Sequence, residues 1–144
     1  MLRNVLILVF FVLSSLANAE NATIAGNYKI HHNAITTDFL SASVAKAYKI
    51  PRSTDRALLN IAITETRDAQ MDKPVGVRLK VIRRNLLGYR EELEMQEVRE
   101  GNAVYYITDF AISHKDQWIF DIEALVDGQV YPLKAQYRET FITE

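Results

Sequence analysis

The chain has 144 residues, with 17 basic and 18 acidic side chains, a formal charge of −1 and no cysteine. That length suits one domain, and the missing cysteines exclude disulfides, thiol redox chemistry and cysteine-ligated metals. The near-balanced charge gives no indication of nucleic acid or a strongly anionic membrane surface as partner.

Arg3, the apolar run at 5–13 and Ala17-Asn18-Ala19 before Glu20 read as a secretory signal peptide over residues 1–19. The apolar run is too short for a membrane span. Cleavage after Ala19 leaves one domain, 20–144, with 16 basic and 18 acidic residues and a formal charge of −2. Its core must hold without disulfides, which is feasible at this size. Residues 21–26 are small and polar and read as a flexible lead-in, with Asn21-Ala22-Thr23 matching a glycosylation sequon.

Residues 27–34 alternate, placing Tyr28, Ile30, His32 and Ala34 on one side of a first strand. A short helix follows at 41–48, with Ser41 as N-cap and Leu40, Val44 and Tyr48 at helical spacing, closed by Pro51. Residues 56–64 are apolar on both faces, the pattern of a central strand covered on both sides, with Asn60 its one polar interruption. A polar loop at 66–74 leads to a strictly alternating strand, 75–84, with Val75, Val77, Leu79 and Val81 inward. The turn Asn85-Leu86-Leu87-Gly88 begins a hairpin whose return strand is acidic. Its hydrophobic alignment sets Leu93 against Val81 and Met95 against Leu79. Lys80 then meets Glu94 and Arg83 lies near Glu91, so the charge run reads as a solvated sheet face.

Glu100-Gly101-Asn102 turns into a strand at 103–110, for which Val104, Tyr106 and Phe110 compete with Ala103, Tyr105 and Ile107 for the inward face; the first set is preferred. The last hairpin, 117–141, turns at Asp127-Gly128, a strong short-range hairpin signal. A two-residue turn there sets Trp118 opposite Tyr137, Phe120 opposite Ala135, Ile122 opposite Leu133 and Ala124 opposite Tyr131. Seven strands and one short helix define an antiparallel all-β sandwich of immunoglobulin-like or fibronectin-like class, with a small closed barrel as the alternative.

Candidate chemistry is sparse. Ser113-His114-Lys115-Asp116 contains the residue types of a triad, but neighbours in one loop rarely converge, and no strained nucleophile elbow is present. A polar turn is the better reading. His31 and His32, with Met71 or Met95, could suggest a metal, yet consecutive strand residues point to opposite faces and no metal site is expected. Carboxylates abound at 91–100, with nothing in their setting to raise a pKa. Arg52, Arg56 and Asn60 cluster around the start of the central strand and are the candidate binding residues, for a small anion or a partner. No phosphate loop, dinucleotide fingerprint or zinc spacing occurs, and no cofactor is expected.

Arg52-Ser53, Arg56-Ala57-Leu58-Leu59-Asn60-Ile61 and Asn85-Leu86-Leu87-Gly88, together with Val44-Ala45-Lys46-Ala47-Tyr48 and Val98-Arg99-Glu100-Gly101 before Tyr105-Tyr106, resemble the family called domain of unknown function 4426. The resemblance implies a small exported protein of Gram-negative bacteria with a periplasmic address. It supplies no activity and no site residues. The resulting expectation is a non-enzymatic envelope module that binds another protein or an envelope component around the helix and residues 48–56. The alternatives are a small hydrolase using His114 and a metal binder using His31 or His32.

Overall fold

The computed structural model describes residues 21–66 and 72–143. The signal-peptide reading of 1–19 and the candidate ligand Met71 lie outside the described residues. Among the described residues ten strands form two antiparallel sheets. The first has the order β1 (Ala22–Ala25), β2 (Tyr28–Thr36), β3 (Arg56–Thr66), β8 (Ala103–Ala111) and β7 (Gln96–Glu100), with β4 (Asp72–Pro74) also on β3. The second has the order β10 (Leu133–Phe141), β9 (Asp116–Val126), β5 (Val77–Arg84) and β6 (Arg90–Leu93). The expected all-β sandwich is present, with ten described strands in place of seven.

The three extra strands have local causes. Within 21–26, Ala22–Ala25 form β1, because Gly26 at φ 62° turns the chain back and pairs Ala25 with Tyr28. The loop before Pro74 contributes β4. The acidic return strand is in fact two strands in different sheets: β6 ends at Leu93, the chain crosses at Glu94-Met95, and β7 pairs with β8. Lys80 therefore faces Glu123, not Glu94, and Met95 packs on the core without pairing to Leu79.

In the last hairpin the aromatic face is as expected, but the register is offset by two residues. Phe120 pairs with Tyr137, Ile122 with Ala135 and Ala124 with Leu133. Gly128 alone takes positive φ (83°), while Gln129 N–H bonds the Val126 carbonyl at 3.0 Å. That is type II geometry, whose twist splays strands where a type I′ turn would continue them. Pairing resumes only past Pro132, which has no N–H to offer a ladder. An offset of two keeps every side chain on its own face, so the core is unchanged.

The core lies between the sheets. Ile30, Leu59, Ile61 and Tyr106 of the first sheet pack on Val81, Phe120 and Ile122 of the second. A ring series crosses the gap: His32 stacks on Tyr137 at 4.6 Å, Tyr137 on Phe120 at 5.7 Å, and Phe120 meets Phe110 at 5.6 Å. A second cluster covers the outer face of the first sheet, where helix α1 (Ala42–Ala47) lays Val44 and Ala45 on Leu58, Val98 and Ile107. Ser41 caps α1 as expected, accepting the Val44 N–H at 3.2 Å. This second cluster is why strand 103–110 carries two apolar faces. Val104, Tyr106 and Phe110 face the main core, and Ile107 faces the helix.

Arg83 departs from the charged-face reading. Its side of β5 is that of Val77, Leu79 and Val81, and the residue is 8% exposed. The guanidinium lies 4.4 Å from the Trp118 ring centroid and 4.8 Å from that of Phe110. It pairs with Glu91 at 2.7 Å and donates to the Ala111 carbonyl of the opposite sheet at 3.2 Å. Cation–π contact and a charge-assisted pair together offset the desolvation of a buried cation. Arg83→Ala should lower unfolding stability by about 2–4 kcal/mol, whereas Arg84→Ala, on the solvent side of the same strand, should have a clearly smaller effect. Urea midpoints of the two variants check the contrast.

Candidate functional site

The residues marked out by sequence do not converge on one point. Arg52 sits on an exposed loop pinned by Thr37, whose fully buried hydroxyl donates to the Pro51 carbonyl at 2.7 Å and accepts the Ser53 N–H at 2.9 Å. Its guanidinium donates to the Asp38 carbonyl at 3.2 Å. Arg56 opens β3 and is held by Asp109 of β8 at 2.7 Å. Asn60 is on the same face as Arg56, but four residues along a strand amounts to roughly 13 Å, with buried Leu58 between them. The Asn60 Oδ1 is buried and accepts no hydrogen bond from a described residue.

The Ser113–Asp116 segment is a turn. The Asp116 carboxylate accepts the Ser113 N–H at 2.6 Å, and His114 Nδ1 accepts the Thr143 N–H at 3.1 Å. The imidazole and the carboxylate each accept a backbone N–H, and among the described residues no hydrogen bond joins the Ser113 hydroxyl to His114. His31 and His32 face opposite sides of β2: the Nε2 of His31 lies 3.0 Å from the Thr64 hydroxyl, and that of His32 lies 3.1 Å from the Thr23 hydroxyl. Among the described residues no group of three or more His, Cys, Asp or Glu could hold a metal.

The acidic segment 91–100 is dispersed. Glu91 turns inward to Arg83, whose hydrogen bond holds its carboxyl below the usual carboxylate range. Glu97 accepts from Arg99 at 3.1 Å and from the Tyr106 hydroxyl at 3.2 Å. Glu100 accepts from the Tyr48 hydroxyl, and burial together with that acceptor pushes the Tyr48 phenol well above its ordinary value.

The solvent face of the second sheet is the surface that sequence reading missed. It holds a cleft of about 590 Å³, whose lining includes Lys80, Ile82, Arg90, Asp121, Glu123 and Lys134 of that sheet, and Thr23 of the first. Its size is that of a small-molecule site. Register explains its make-up. Row by row across the strands, Arg90 is opposite Arg84, Ile82 opposite Asp121, and Lys80 and Lys134 both opposite Glu123. Asp121 is occupied by Arg84 at 2.7 Å and by the Gln136 amide at 3.0 Å. The Arg84 bond first, then that of Gln136, holds Asp121 below the usual range, with Arg90 adding to the effect through space.

Like charges directly opposite each other on a sheet are unfavourable, and Arg84 and Arg90 have one carboxylate between them. The side chains of Lys80 and Arg90 make no ion pair or hydrogen bond with a described residue, and Lys134 reaches Glu123 only at 3.9 Å. On the four strands this face carries six bases against three acids, although the whole chain has a formal charge of −1. The signal was present in the alternation of β5, which places Arg78, Lys80 and Arg84 outward once Arg83 is inward.

A two-layer β-sandwich with a basic cleft on one outer face, and no converged catalytic set among the described residues, is the class of protein that these features define. The chain belongs to the DUF4426 family, described as a domain of unknown function, whose model matches residues 22–144. The resemblance read from residues 44–61 and 85–106 thus extends over the described chain. A DUF4426 family protein from Pseudomonas aeruginosa has a crystal structure that is similar to this one with a TM-score of 0.73 and 23% identity, covering 89% of this chain and 98% of that one. FetP of uropathogenic E. coli strain F11, expressed recombinantly in the periplasm, is similar with a TM-score of 0.62 at 7% identity, over 88% of this chain and 95% of that one. At these identities both likenesses show the fold alone. No curated protein matches the chain.

His32 is buried against Tyr137, and burial pulls its imidazole pKa below the ordinary value of 6.5. The folded state therefore binds fewer protons than the unfolded state, so stability is complete above about pH 6.5 and declines as pH falls through the depressed value. Urea unfolding at a series of pH values should show this decline, and His32→Gln should flatten it.

Proposed function

We propose that the protein is a non-enzymatic binding module of the cell envelope, exported to the periplasm and cleaved after Ala19. The supporting observation is the basic cleft of the second sheet, where Lys80 and Arg90 make no ion pair or hydrogen bond with a described residue, although Glu123 and Asp121 are near them on the same four-stranded face. A preformed surface of that kind favours an anionic ligand and lacks the paired nucleophile and base that turnover requires. Periplasmic residence agrees with the family resemblance. Among the described residues no helix is long and apolar enough to cross a membrane.

Arg52 and Arg56 offer a second surface on the loop before β3, supported by the exposure of Arg52 and its single contact to a carbonyl. It differs from the cleft in that Arg56 already has its carboxylate, Asp109.

A thermal-shift screen of anionic, neutral and cationic small molecules tests the reading, with each hit recovered afterwards and checked by mass spectrometry. Anions should raise Tm, emerge chemically unchanged, and lose their effect in Lys80→Gln/Arg90→Gln but not in Arg52→Ala/Arg56→Ala. A hit recovered as product would make the protein an enzyme, and the reverse pattern of variants would move the site to the loop. Intact mass of the exported protein should show Glu20 as its first residue.

A further inference from the structure

Eight large apolar side chains are exposed among the described residues, and five of them, Phe39, Leu86, Leu87, Tyr89 and Ile142, are carried by the loops at one end of the sandwich. Register establishes that these loops share an end. The β5–β6 turn projects beyond the Arg84–Arg90 pair, Ile142 follows the Phe141–Asp116 pair, and β2 and β8 finish at the start of β3. Leu87, at the tip, is 94% exposed and Leu86 74%. The tip is held in shape from within: the Asn85 side chain accepts the Leu87 N–H at 3.0 Å and the Tyr89 N–H at 2.9 Å, and Gly88 takes φ 91°. Two leucines are thus presented to solvent on a turn whose backbone bonds are satisfied locally. Burial would be worth much to them, and nothing in the fold supplies it.

Immediately behind this tip is the row Arg90, Arg84, Ile119, Arg138 across the second sheet. The row is two to three residues back in sequence, at most about 7–10 Å at ~3.3 Å per residue, since the turn advances less than a strand. That interval matches the roughly 5–10 Å to which apolar side chains of interfacial proteins enter the headgroup and acyl boundary. An apolar tip followed at that depth by arginines is the layering of a bilayer surface, with phosphates above hydrocarbon. The opposite end of the sandwich also exposes an apolar pair, Val130 and Tyr131, with Arg78 on the row behind it, but there Asp127 sits in the turn beside the apolar pair.

We propose that this end docks on an anionic phospholipid surface, with Leu86 and Leu87 inserted and Arg90 and Arg138 at the headgroup phosphates, Arg84 between them being held by Asp121. The proposal rests on the binding reading above and names the partner of the same basic face. The near-zero net charge of the chain does not oppose it, because attraction within a Debye length depends on the face presented and not on the average.

The test is co-sedimentation of the mature protein with vesicles of phosphatidylglycerol mixed with phosphatidylcholine, and with phosphatidylcholine vesicles alone. Wild type should partition onto the anionic vesicles, release with rising salt, and ignore the neutral ones. Leu86→Ser/Leu87→Ser should abolish partition, and Arg90→Gln/Arg138→Gln should weaken it by about fivefold per arginine removed. All four positions are on the surface, and circular dichroism confirms that each variant is folded. Absence of binding to anionic vesicles overturns the proposal, as does binding that the leucine pair leaves unchanged. A rise in Tm with glycerol phosphate in the absence of vesicle binding would overturn lipid docking while leaving the anion cleft intact. Failure of both would remove the binding reading as well.

Discussion

The arrangement depends on where one guanidinium goes. Arg83 is inside the sandwich, stacked on Trp118 and Phe110 and bonded to the Ala111 carbonyl of the facing sheet. A buried cation requires a counter-charge, and Glu91 supplies it. Two consequences follow from alternation alone. With Arg83 inward, Arg84 must face solvent; with Glu91 inward, Arg90 must face solvent on the neighbouring strand. The acid that might have neutralised the outer face is consumed by the core. The basic cleft is in this sense a product of how the interior is balanced.

The same interaction fixes the hairpin that carries the exposed leucines. Arg83 and Tyr89 close over Trp118 from the two strands that flank the Asn85–Gly88 turn, so the tip projects from a packed base. The ring series that starts at His32 and runs through Tyr137, Phe120 and Phe110 ends at this guanidinium. Core packing, hairpin geometry and surface charge are therefore linked through a few side chains on facing strands. Structural relatives at 23% and 7% identity share the sandwich, and a shared sandwich does not carry a shared ligand.

Much of the fold was legible. The two-faced apolar run of β3, the capped helix after Ser41 and the aromatic face of the last hairpin each express a single strong local rule. Misreadings arose where two rules competed. At Asp127-Gly128 the dipeptide suggests a two-residue turn, while Pro132 delays pairing, and the proline prevailed. In 91–100 the apolar residues Leu93 and Met95 continue one alternation that Val98 breaks, and the chain changes sheets at Glu94-Met95 with no glycine or proline to mark the crossing. Arginine is rarely buried, which favours a solvated face for Arg83, although its parity with Val81 places it inside. The basic cleft was invisible for a related reason: it draws on four strands whose order, β10-β9-β5-β6, is set by tertiary pairing. Arg52, Arg56 and Asn60 are near one another in sequence but not on a single point of the surface.

The most direct measurement is a titration of the isotopically labelled mature protein with glycerol phosphate, followed by amide chemical-shift changes residue by residue. An anion held on the basic face moves resonances on the facing strands, concentrated at Lys80, Ile82, Arg90, Asp121 and Lys134, with little change at 52–56. Shifts confined to the loop around Arg52, or no saturable shifts anywhere, would contradict the assignment of the second sheet as the binding face.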